Sequence, residues 1–147
     1  MITTTTGETA TGHLPSWAEV DPSEQEVPPE ELAVRLADIN HSLKLPGQVL
    51  RAYSPANPTG RPTPVEVLHG SIDCTPYATA PELTTPVVNL LLAGEHWLTD
   101  LGPTDLTQLA GGLRALAARL EDDVVPALIE ARTEWTTYHP HTAGVRQ

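Results

Sequence analysis

Nine apolar residues in the last third of the chain recur every three or four positions: Leu106, Leu109, Leu113, Leu116, Leu120, Val124, Leu128, Ala131 and Trp135. That spacing lays one apolar stripe along a helix. Pro103-Thr104-Asp105 opens it, with Thr104 or Gly102 as the cap candidate and Asp105 suited to the first turn. A stripe needs a cover, so the chain folds as a domain or docks onto a partner. Residues 104–135 would span about 48 Å as a straight helix. A compact chain of this length is only about 38 Å across. The helix therefore bends, or its end reaches beyond a small sheet. Pro126 is the expected bend, because an interior proline removes one backbone hydrogen bond.

The 147 residues fit one domain. The apolar share is 39% and Phe is absent, so Leu, Val and Ala must build the core. The net charge is -11, Lys44 is the only Lys, and the seven Arg are scattered. Acidity of this kind repels phosphate and argues against direct nucleic-acid binding. Cys74 stands alone, so there is no internal disulfide. Met1–His13 has neither the basic nor the apolar part of a signal peptide. The longest apolar run, Leu90–Ala93, is far too short to span a membrane. A cytoplasmic protein without a membrane segment is expected. The preference for Arg over Lys, with abundant Ala, Thr and Pro, fits a GC-rich genome.

Residues 1–12 are Thr-rich and predict a mobile tail; 13–137 predict one domain, and 138–147 a second flexible tail. Trp17 lies in a polar stretch and is expected to plug a core edge. Pro28-Pro29-Glu30-Glu31 suits a helix start, and Leu32, Leu36, Ile39 and Leu43 continue at helical spacing to a stop at Pro46-Gly47. Gln48–Ser54 reads as a strand, and Pro55–Pro64 as a loop. Val65–Cys74 alternates as one strand, with Gly70 marking a bulge or a close backbone approach. Val87–Leu92 reads as a strand covered on both faces, followed by a turn and a short strand, His96–Thr99. The fold this order predicts is α+β: a two-layer sandwich with an antiparallel sheet of three to four strands and two helices on one face.

No spacing points to a catalytic or metal-binding motif, and no catalytic residue, metal or cofactor is expected. His69 and Asp73 share a strand face, and with Tyr77 and His96 they are the candidates for a ligand pocket between the sheet and the Pro-rich loops. Cys74 points away from His69 and Asp73 and reads as a small buried hydrophobe. His139 and His141 fall in the expected tail, where ligands are not held in fixed geometry. Glu121, Asp122 and Asp123 read as a solvated helix face. Gly111-Gly112 weakens the long helix and is expected to mark close packing.

Four blocks, Leu36-Ala37-Asp38-Ile39-Asn40-His41, Ile72-Asp73-Cys74-Thr75-Pro76-Tyr77, Pro86-Val87-Val88-Asn89 and the Leu-rich helix, resemble those of a family of small uncharacterised actinobacterial proteins. The resemblance implies a shared fold and lineage, and no activity. Some similar short proteins begin with a Cys-Pro-x-Trp-Cys element suggestive of zinc. Here the segment is Leu14-Pro15-Ser16-Trp17-Ala18, and with both cysteine positions apolar a metal role does not carry over.

The expected function is a non-enzymatic interaction or regulatory protein, working through a protein partner or a homodimer. Leu120, Val124, Leu128, Ala131 and Trp135 are the expected interface. The alternatives are a small-molecule-binding domain or enzyme using the pocket above, and an acidic decoy for a basic, nucleic-acid-binding partner.

Overall fold

The computed structural model describes residues 1–53 and 60–138. The fold is α+β, and the chain divides into two compact units, the first ending at Gly102 and the second beginning at Pro103. The second unit is helical from Pro103 to Tyr138.

Strands β1 (Ile2–Thr4), β2 (Thr9–Ala10) and β3 (Glu24–Val27) make a three-stranded sheet in the order β2-β1-β3. β1 pairs antiparallel with β2 and parallel with β3. The expected tail is thus a strand at the core: Ile2 is 2% exposed and Val27 5%. Thr4 is buried too, and its hydroxyl accepts the Glu8 N–H at 3.0 Å, closing the β1–β2 turn. The polar composition concealed this, because Thr suits a pleated strand as well as a tail.

The first helix is much shorter than expected. A 3-10 turn at Pro29–Glu31 leads into α1 (Leu32–Ala37), and the chain leaves the helix before Ile39 and Leu43. Leu43 instead belongs to β4 (His41–Leu45), which pairs antiparallel with β7 (His69–Cys74). Strand pairing outweighs helical spacing here, because the alternation His41, Leu43, Leu45 fits a sheet face equally well.

The four-stranded antiparallel sheet runs β4-β7-β8-β9, with β8 at Val87–Ala93 and β9 at His96–Leu101. Its apolar face carries His41, Cys74, Val88 and Leu90, all buried, beside half-buried Leu43, Ile72 and Leu98. β8 is central, yet Val87, Asn89 and Leu91, which alternate with its buried Val88 and Leu90, are only half-buried, so it is not closed on both faces. Gly70 is a close approach: a Cβ there would overlap the carbonyl of Asn89 on β8.

The run Val65–Cys74 is two strands. Leu68 takes a left-handed φ of 56°, which separates β6 (Thr63–Val67) from β7. β6 pairs with β5 (Gln48–Ala52) in a two-stranded ribbon of its own. Within β7 the expected alternation holds, with Cys74 opposite His41 and Asp73 opposite Ser42. Of the loop expected at Pro55–Pro64, residues 54–59 lie outside the described residues, as do His139, His141 and the rest of 139–147.

The second unit is α2 (Pro103–Arg119), a π turn (Leu120–Val124) and α3 (Val125–Tyr138). The π turn answers Pro126. Proline lacks an N–H and its ring crowds the carbonyl four residues back, whereas the wider turn lets Val125 N–H reach the Leu120 carbonyl. Gly111 and Gly112 are not sites of close packing, since a Cβ on either would meet nothing within 4 Å.

Candidate functional site

The most connected polar group in the sheet is Asp73, on the face opposite the apolar core. Its Oδ2 accepts from the Ser71 hydroxyl and from Asn89 Nδ2 at 3.0 Å. Its Oδ1 accepts from Asn40 Nδ2 at 3.4 Å. Partial burial pushes this carboxyl up, but hydrogen bonds from Ser71, Asn89, Ser42 and Asn40 together outweigh it and leave the group below the usual aspartate value. The network continues through Asn89, whose Oδ1 accepts the backbone N–H of Asp100 at 3.0 Å. Asp100 has φ 57° and sits where the β8–β9 register shifts, so the Asn89 amide holds a bulge in place. An open depression of about 300 Å³ lies over this network, lined by Asn40, Asp73, Asn89 and Asp100 with Leu83 and Val87. An ionised carboxylate that already accepts several hydrogen bonds is a poor base; what it offers a ligand is its negative charge, which suits a cation.

A second, smaller cavity of about 30 Å³ is lined by Ile2, Gly12, His13, Asp21, Leu36, Ile39, His41 and Tyr77, among others. His41 is 3% exposed, and neither ring nitrogen has a hydrogen-bond partner among the described residues. Trp17 meets its ring edge-on, with centroids 6.3 Å apart at 86°; the indole is half-buried. Tyr77 covers Gly12 so closely that a Cβ there would overlap the phenol oxygen. Asp21 is held below the usual carboxyl range first by the Ser23 hydroxyl at 2.7 Å, then by the Ser23 N–H at 2.9 Å.

The four pocket candidates do not converge. Asp73 lines the open depression, Tyr77 lines the small cavity, and His69 and His96 line neither. His69 is opposite Leu91, four residues along β7 from Asp73 and so roughly 13 Å away. His96 is exposed at the end of the β8–β9 hairpin. Asn89 and Asn40 escaped sequence reasoning, although a lone amide within Val87–Leu92 was the available signal. His41 escaped it because its segment read as helix. Cys74 lies on the core face; its thiol donates to the Thr84 carbonyl at 3.3 Å, and burial pushes it up. Among the described residues, no group of three or more His, Cys, Asp or Glu is placed to hold a metal ion. No helix among them is long and apolar enough to cross a membrane.

The expected interface residues all lie on the second unit, where no residue is buried. Leu116 is 52% exposed, Leu120 49%, Val124 45%, Leu128 50% and Trp135 60%; Ala131 is exposed as well. The opposite side of the turn carries Glu121, Asp122 and Asp123, also exposed.

Residues 1–130 match the family described as Domain of unknown function (DUF6907), and the chain belongs to that family. No curated protein and no solved structure matches it.

Proposed function

We propose that this family member is a non-enzymatic interaction or regulatory protein of the cytoplasm, and that helix Pro103–Tyr138 is its contact surface. One observation carries the reading: a continuous stripe of Leu and Val, each about half exposed, on a helix without a buried residue. Contiguous apolar surface of this kind marks sites of association. Fully burying an exposed Leu or Val contributes about 1.5–3 kcal/mol, so covering the exposed half of each adds on the order of 1 kcal/mol, and several together supply a useful affinity. The Arg-over-Lys bias supports an actinobacterial lineage.

The test is affinity capture from the native cell with the full chain and with a Leu120→Asp/Leu128→Asp variant, followed by mass spectrometry. The native chain is expected to retain a protein that the variant loses, in a contact that survives high salt. Identical captures by the two chains would retire the reading. Retention that collapses with salt would point instead to the acidic surface engaging a basic partner.

The depression at Asp73 supports a second reading, a site for a small molecule bearing a cationic group. A ligand that raises the melting temperature of the native chain, and not of Asp73→Asn, is the expected signature.

A further inference from the structure

The stripe and the π turn together carry more than exposure. From Leu106 to Tyr138 the positions of the stripe step by 3, 4, 3, 4, 4, 4, 3, 4 and 3, with Val125 and Ile129 lying off it. Alternating threes and fours are the seam of a two-stranded coiled coil. The three consecutive fours contain one residue too many for that seam, and they surround the π turn Leu120–Val124. A π turn accommodates one extra residue, so it returns the stripe to the same face on its far side. The list of steps also reads the same in both directions, and its centre is Asp122, the middle residue of the π turn.

We propose that the occupant of this face is a second copy of the same helix, running antiparallel about a two-fold axis at Asp122. The proposal rests on the interaction reading above and specifies its partner. Under that symmetry Leu120 of one copy meets Val124 of the other, Leu116 meets Leu128, and Leu113 meets Ala131. Every seam position then faces an apolar one, as a self-complementary interface requires. Area agrees. Seven seam side chains that are 40–74% exposed, at on the order of 100 Å² each, give roughly 1,400 Å² over the pair, within the ~1,200–2,000 Å² of a specific interface. Gly112 and Ala117 flank the seam, where a hydrogen and a methyl let the two backbones approach.

The experiment uses the full chain. Sedimentation equilibrium is expected to give twice 15.8 kDa at micromolar concentration. Leu113→Cys and Ala131→Cys chains, mixed and mildly oxidised, are expected to form a disulfide-linked pair that neither forms alone, with the unaltered chain as the control for Cys74. Cross-linking of Leu113→Cys chains to each other would mean parallel helices and overturn the proposal. So would a mass that stays at 15.8 kDa for the unaltered chain, a result that does not depend on either cysteine variant folding. If that monomer still captures a different protein through Leu120 and Leu128, only self-pairing is lost. If it captures nothing that the Leu120→Asp/Leu128→Asp variant loses, the interaction reading goes too.

Discussion

The Asn89 side chain accepts the backbone N–H of Asp100 at 3.0 Å while donating to Asp73 at 3.0 Å. One amide therefore ties the carboxylate of β7 to the bulge of β9.

Asn89→Ala breaks both bonds. Leaving a charged acceptor short of a donor, and a strained turn without its brace, is expected to cost about 1.5–3 kcal/mol. Chemical denaturation of the two chains measures it. In that background Asp100→Gly is expected to restore part of the loss, since glycine adopts φ 57° without the steric penalty.

Asp73 makes stability depend on acid. Its folded value lies below the usual aspartate value, because its hydrogen bonds prevail over burial. A carboxyl of this kind contributes its full stabilisation above the unfolded value and loses it as pH falls through the folded one. Melting temperature measured from pH 7 down to pH 2 is expected to fall below about pH 4. Asp73→Asn should melt lower at pH 7 and show a shallower acid slope. Equal slopes would show that Asp73 is not the linked group.

Gly70→Ala places a methyl against the Asn89 carbonyl, which is backbone and cannot turn aside. The expected loss is at or above the upper end of the usual 0.5–3 kcal/mol for single substitutions. A fall of less than about 1 kcal/mol in denaturant unfolding would mean that the two strands are farther apart.

Gly111→Ala acts in the opposite direction. The added Cβ meets nothing within 4 Å, and alanine is the better helix former by about 1 kcal/mol. Helical circular dichroism and thermal stability of the second unit should both rise.

Cys74 reports on the first unit. Its thiol is buried, bonded to the Thr84 carbonyl and pushed up by burial, so little thiolate is present near neutrality. Labelling by a maleimide is expected to be slow in the native chain and to accelerate by orders of magnitude in denaturant. Fast native labelling would show that the sheet opens locally.

The parts of the structure that were legible in the sequence are those specified by local pattern. The helix from Pro103 onward, the strands at Val87 and His96, and the close approach at Gly70 all follow from spacing or from one residue's stereochemistry. What was missed depends on distant partners. Leu43 fits a helix stripe and a strand face equally well, and only pairing with Ile72 decides between them. Ile2 sits among threonines, so nothing local marks it as core; its place is set by Glu24, parallel to it and twenty-two residues away. The break at Leu68 is a single backbone angle on a leucine, a residue that normally avoids that region. The Asp73 network is drawn from β4, β7, β8 and β9 and needs the sheet assembled before it exists.

The contrast between a local helix and a sheet closed over long loops sets an order of events in time. A helix propagates on a scale of about a microsecond, whereas bringing Ile2 beside Glu24, or His41 beside Cys74, waits on closure of a long loop. In a refolding chain the stripe is therefore displayed before the core that follows it has closed. Pairing of two stripes would then be an early, second-order event, and the observed refolding rate would depend on how many chains share the solution.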